Sequence, residues 1–234
     1  MSFKEIQQRC RQLANPKDAK FLQGFFKTGP GDYGEGDVFH GIRVPVSRKI
    51  ARDYKHADLA TVEQLLESKF HEERMIALFI LTYLYEQANP EQQTELCDYY
   101  LTKSHRINNW DLVDCSAHKI LGNYLLKRNK QIIYDLSHSE SLWEKRIAIV
   151  STWTLIRDGQ LQPTLRICKT LLTDEHDLIH KACGWMLREL GKKEPTLMES
   201  FLGNYYKKMP RTMLRYAIEK LPQAKRKAYL QGEV

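Results

Sequence analysis

The sequence predicts an all-α protein, an α-solenoid superhelix of antiparallel helix pairs with one irregular glycine-rich insertion near the N-terminus. Three observations predict it. Apolar residues recur at helical spacing along most of the chain, and no segment sustains the alternation of a half-buried strand. The breaks between these segments are short, which suits antiparallel helix neighbours. A degenerate motif also returns at intervals averaging about 35 residues, the length of one helix pair in a stacked array.

The first helix runs from Phe3 to Ala14 and the second from Pro16 to Phe26, with proline in the first turn, where its missing N–H is harmless. Residues 27–44 are irregular. Within them Lys27-Thr28-Gly29-Pro30-Gly31-Asp32-Tyr33-Gly34-Glu35-Gly36-Asp37 holds four glycines and a proline, the mark of an ordered loop or a short hairpin. Tyr33 and Phe39 could point outward from it or anchor it on the first helices. Pro45 starts a helix that runs to about Tyr54. Further helices are predicted at about 59–68, 71–87, 91–103, 110–127, 130–137, 141–157, 161–172, 177–190, 195–207, 210–221 and 223–230. We read residues 1–234 as a single solenoid domain.

The chain is 42% hydrophobic and 28% charged, the balance of an ordinary soluble domain. No apolar run approaches the roughly 20 residues needed to span a membrane, and the amphipathic start at Phe3 lacks the apolar core of a signal peptide. A cytoplasmic protein is expected. The five cysteines are scattered, with no Cys-x-x-Cys, and the eight histidines lack metal-ligand spacing; reduced thiols, no metal and no cofactor are expected. The net charge of +7 and a pI near 9.1 favour a polyanionic partner, most simply nucleic acid.

The recurring motif is a polar residue followed within one turn by a small one, early in the second helix of each pair. Arg74, Asp114, Arg146, Lys181 and Arg215 hold the polar position at successive intervals of 40, 32, 35 and 34. This is the pattern of HEAT-like repeats, and it places equivalent helix faces on one side. Four of the five positions are basic, and the single acid is Asp114. At Arg74 above all, the alternative is a structural cap or bridge between repeats.

Asn108-Asn109-Trp110-Asp111-Leu112-Val113-Asp114 opens the mid-chain helix. Trp110 and Asp114 are four residues apart and therefore share a face, which couples a large π-surface to a carboxylate. Asp111 sits in the first turn, where an acid complements the helix dipole. Trp143 and Trp153 read as packing residues.

Taken in order, Trp110-Asp111-x-Val113-Asp114, Trp143-x-x-Arg146-x-Ala148-Ile149 and Lys181-Ala182-x-Gly184-Trp185-x-Leu187-Arg188-Glu189 resemble the AlkD family of DNA alkylation-repair glycosylases, from about Phe25 to Arg215. The resemblance implies a HEAT-like superhelix that grips the backbone of duplex DNA carrying alkylated bases and contacts the sugar of the lesion. Catalytic members hydrolyse the N-glycosidic bond of N3- and N7-alkylpurines. It further implies that Asp114 is the catalytic carboxylate, Trp110 and Trp185 the aromatic walls, and Arg146 the basic partner that keeps Asp114 ionised. Arg74, Lys181, Arg188 and Arg215 would contact DNA, with Lys27 and Arg43 from the irregular segment. A monomer that associates with the nucleoid and needs no obligate protein partner or cofactor is expected.

The chemistry suits those residues. An N-alkylated purine is already cationic and leaves without protonation. Bond breaking moves positive charge onto the deoxyribose, where a fixed carboxylate stabilises the transition state more than the ground state. Two other classes stay open on the sequence alone: a non-catalytic binder of branched or bent DNA that uses the glycine-rich segment, and a protein-interaction scaffold.

Overall fold

A computed structural model describes residues 3–234. The chain divides into two compact units, Met1–Ser116 and Ala117–Val234, and both are built of helices. The first contains α1 (Phe3–Gln12), α2 (Pro16–Phe25), α3 (Val44–Asp53), α4 (Leu59–Leu66), α5 (His71–Gln87), α6 (Pro90–Thr102) and α7 (Trp110–Ser116). The second contains α8 (Gln131–Leu136), α9 (Leu142–Arg157), α10 (Gln162–Thr170), α11 (Asp177–Lys193), α12 (Pro195–Tyr205), α13 (Arg211–Ala217) and α14 (Gln223–Gln231). No described helix is long and apolar enough to cross a membrane.

Sequence chemistry sets the boundaries. Proline occupies the first turn of α2, α3, α6, α10 and α12. Asn15 caps α2 by accepting from the Lys17 and Asp18 amides, and Asn89 with Gln92 forms a reciprocal capping box on α6, which satisfies amides that have no partner within the helix.

In the first unit, α5 is the axis. From Met75 to Leu81 every residue is buried, so this stretch is apolar all round, as a helix surrounded by others must be. Helices α3, α4, α6 and α7 pack against it. In the second unit α9 and α11 take that place: α9 packs on α8, α10 and α11, and α11 packs on α12 and α13. Gly184 permits a close approach of α11 to α13, because a Cβ on it would stand 2.5 Å from the Met213 carbonyl oxygen.

One expectation changes, and one open alternative is decided. The mid-chain helix expected over 110–127 is not continuous α-helix. After α7 the backbone forms a π-helical turn, His118–Gly122, in which the Gly122 amide donates to the Ala117 carbonyl at 3.0 Å, and then a 3₁₀ turn, Leu125–Lys127. Side chains of α9 hold the widened turn: Thr154 Oγ1 donates to the His118 carbonyl at 2.5 Å and Ser151 Oγ to that of Ala117 at 3.4 Å. The glycine-rich segment is an ordered loop rather than a hairpin. Consecutive turns fold it, and its one ladder contact is the isolated bridge between Val38 and Phe70.

Candidate functional site

The first turn of α5 reads His71-Glu72-Glu73-Arg74, and all four side chains are buried. Burying four ionisable groups requires partners for each, and the irregular segment supplies them. Glu72 accepts the backbone amides of His40, Gly41 and Ile42 at 2.8–3.0 Å. Glu73 meets His40 Nε2 at 2.9 Å and accepts from Gln7 Nε2 at 3.0 Å. Arg74 Nη2 donates to Asp37 Oδ1 at 2.5 Å and its Nη1 to the Ser68 carbonyl at 3.0 Å. The His71 ring bridges two carboxylates, with Nδ1 3.1 Å from Asp37 and Nε2 2.9 Å from Asp111.

Burial alone would depress the His71 pKa. The charge and hydrogen bond of Asp111, with the hydrogen bond of Asp37, overcome it and raise the value to about 9. Burial likewise favours neutral Asp37, but the hydrogen bond from His71, the charge of Arg74 and the amide of Asn109 hold its carboxyl below the usual range. The result is a closed group of two cations and two anions that fastens the loop, α5 and the start of α7 to one another.

Beside this group lies a cavity of about 320 Å³. The end of α2, the start of α3, the first turn of α5 and one face of α7 line it. Trp110 and Asp114 both border it, as their four-residue spacing on α7 requires. The aromatic wall is layered: Phe26 stacks on Trp110 at 5.3 Å and on Phe39 at 5.3 Å, and Phe39 lies 4.8 Å from the His71 ring. Phe39 therefore anchors the loop. Phe25, 54% exposed, stands edge-on to Trp110 at 6.0 Å.

The other residues singled out in the sequence occupy varied settings. Arg74, expected to face DNA, is only 2% exposed, and its two terminal nitrogens donate to Asp37 and the Ser68 carbonyl; this is the setting of the structural alternative. Lys27 is exposed with φ of 50°. Arg43 is exposed, paired with Asp18 at 2.8 Å and stacked over Phe21. In the second unit, Arg146 is buried and donates to the Leu178 carbonyl at 2.6 Å. Trp185 is half-buried and lies 5.4 Å from Trp153, which in turn meets the His118 ring edge-on at 4.6 Å. Trp153 is thus part of an aromatic row rather than of the core. Lys181 pairs with Asp177 at 2.7 Å, Arg188 with Glu219 and Glu189, and Arg215 is exposed. The basic stripe read from the repeat is therefore interrupted at Arg74 and Arg146, whose guanidiniums bind protein oxygens.

Sequence reasoning missed the His71, Asp37 and Asp111 group and the walls formed by Phe25 and Phe26. The signal was there: four consecutive ionisable residues opening an apolar helix cannot all face solvent once that helix is central.

Comparison with known proteins follows the same line. Residues 6–221 match the family model described as DNA alkylation repair enzyme. No curated protein matches the chain. Among solved structures it is similar to a predicted DNA alkylation repair enzyme from Enterococcus faecalis, at 18% identity and a TM-score of 0.69 over 90% of this chain and 97% of that one. It is also similar to AlkD2 from Streptococcus mutans, at 20% identity and a TM-score of 0.57 over 88% and 98%. At such identities these likenesses show the fold, and the family model, which spans nearly the whole chain, shows the membership: the chain belongs to the DNA alkylation repair enzyme family.

Proposed function

We propose that this protein is a monofunctional DNA glycosylase that hydrolyses the N-glycosidic bond of cationic N3- and N7-alkylpurines in duplex DNA. The observation that carries the reading is that Trp110 and Asp114 border one cavity from a single face of α7. An indole face attracts a cationic ring, and a carboxylate beside it stabilises positive charge developing on the sugar.

In this reading the C1′–N bond breaks and its electron pair returns to the purine, which leaves neutral. Asp114 stabilises the oxocarbenium-like sugar and directs a water to C1′. The water oxygen forms the new bond, and its proton passes to the carboxylate or on to solvent. Within the second unit, Trp185 offers aromatic surface and Lys181, Arg188 and Arg215 are the candidate phosphate contacts. Arg146 serves by ordering the backbone at Leu178. The glycine-rich tip gives little support to a branch-reading role, since the exposed charged residues between Gly29 and Gly36 are Asp32 and Glu35, which accept the Gly29 and Gly31 amides and would repel phosphate.

The test is release of free base from a duplex carrying a single N7-methylguanine. Wild type should release it. Asp114→Asn should lower the rate at least about 100-fold, as removal of one electrostatic stabiliser does, while fold and duplex affinity persist. Near wild-type release by Asp114→Asn would sink the assignment.

A further inference from the structure

The second unit carries a cluster of cations outside the repeat positions and the catalytic residues. Between the last turns of α9 and α11 lies a hollow of about 270 Å³, lined by Trp153, Ile156, Arg157, Glu189, Lys192 and Lys193. Arg157 ends α9, and Lys192 and Lys193 end α11. All three cations are exposed. The one acid of the lining, Glu189, is already engaged. Its carboxylate accepts from Lys192 Nζ at 2.7 and 2.9 Å and lies 3.7 Å from Arg188 Nε. The side chains of Arg157 and Lys193 have no ion pair or hydrogen bond among the described residues. Asp158 and Glu194 follow the two helices but lie outside the lining, and Asp158 accepts from Gln160.

A hollow edged by uncompensated positive charge favours an anion. A guanidinium beside two ammonium groups suits the oxygens of a phosphate. Cations in a last helical turn also complement the helix dipole. That accounts for each helix separately, and not for the convergence of both sets on one hollow beside an indole. Trp153 narrows the choice of anion. It is the middle ring of a row, 4.6 Å from His118 and 5.4 Å from Trp185. A nucleotide joins its phosphate to a deoxyribose whose apolar face can pack on such a ring, whereas a lone carboxylate brings nothing for the ring to cover. The volume falls just under the roughly 300–1,000 Å³ of small-molecule sites, enough for one phosphodiester and its sugar.

Resting on the DNA partner of the glycosylase reading, we propose that this hollow seats one backbone phosphate of the duplex. Arg157, Lys192 and Lys193 grip it, and the deoxyribose of that nucleotide lies against Trp153. Such a contact carries no sequence information; it fixes the register of the strand on the second unit. These are positioning residues, and their loss acts on binding.

The experiment uses the whole chain and an undamaged duplex in which an uncharged methylphosphonate replaces one phosphate at a time. In wild type, substitution at one backbone position should weaken binding about tenfold, the equivalent of one charge-assisted hydrogen bond. The double variant Arg157→Gln with Lys193→Gln should bind the natural duplex about tenfold more weakly and keep its melting temperature. Methylphosphonate at that one position should then cost it nothing further, and its salt slope should fall by about one. On a duplex with one N7-methylguanine, single-turnover release by the variant should reach its plateau at about tenfold higher protein concentration. An identical methylphosphonate profile in wild type and variant overturns the seat, as does a loss spread evenly over all positions. A lowered melting temperature with intact affinity would make these cations helix-end partners only, and overturns it too. Wild type that shows the position-specific effect but releases no methylated base would remove the glycosylase reading and leave the seat standing. Wild type that binds no duplex would remove both.

Discussion

Nε2 of His71 lies 2.9 Å from Oδ2 of Asp111, with both side chains buried. This contact joins the first turn of α5 to the first turn of α7, and so sets the rotation at which α7 presents Trp110 and Asp114. The other ring nitrogen is held by Asp37, so both orientation and protonation of the imidazole are determined.

Stability should therefore depend on His71 ionisation. Its pKa rises from 6.5 to about 9 on folding. A raised pKa means that the stabilisation is complete below the unfolded value and disappears as pH climbs through the folded one. Between pH 6.5 and about 9, the protein should lose on the order of 3 kcal/mol from this group. Urea denaturation across that range should show the loss. His71→Gln should start less stable and converge on wild type at the alkaline end; parallel profiles for the two proteins would contradict the assignment.

Arg74 and Arg215 occupy the same place in the repeat but should fail differently. Arg74 is sealed against Asp37 and Arg215 is exposed. Arg74→Ala leaves Asp37 without one of its two cations and should destabilise the fold by about 3–5 kcal/mol. Arg215→Ala should leave the melting temperature in place, weaken duplex binding regardless of sequence, and reduce the salt dependence of that binding by about one counterion. A loss of affinity without a loss of stability at Arg74 would reverse these roles.

The loop offers a contrast between two glycines with positive φ. Gly41 has φ of 85°, and a Cβ there would stand 2.1 Å from the Asn15 carbonyl oxygen. Gly31 has φ of 78° with open space around it. Gly31→Ala should lower stability by about 1–2 kcal/mol from backbone strain alone. Gly41→Ala adds an overlap with backbone that cannot yield, and should destabilise by well over that amount or prevent folding. Equal melting temperatures for the two variants would show that the α2 start moves freely.

Much of this was legible in the sequence, for identifiable reasons. Helix ends are local, written by Pro16, Asn89 and Pro195 close to where they act. The pairing of Trp110 with Asp114 follows from helical spacing alone. Burial of Arg74 and Arg146 was not legible, because a repeat places a residue on a face without saying whether a loop covers it. The covering residue for Arg74 is Asp37, 37 positions earlier. The break after α7 was equally hidden, since Ser151 and Thr154 of α9 draw the Ala117 and His118 carbonyls out of the α pattern. Such tertiary hydrogen bonds override helix propensity without altering apolar spacing.

Asp37 is where loop and site meet, and it should separate the structural part of the glycine-rich segment from the rest. Its carboxylate faces Arg74, His71, Asn108 and Asn109. Asp37→Asn keeps the shape and removes the charge, leaving Arg74 and His71 to share Asp111. We expect a loss of about 3–5 kcal/mol, the range for breaking a buried pair, and slower base release, because α7 loses part of its anchor. Asp32, exposed at the loop tip, accepts the Gly29 amide. Asp32→Asn should change stability by less than about 0.5 kcal/mol and leave base release alone. Chemical denaturation with a base-release assay on both variants checks this. A tolerant Asp37 and a sensitive Asp32 would mean that the loop acts through its exposed tip, and would return weight to direct recognition of DNA by this segment.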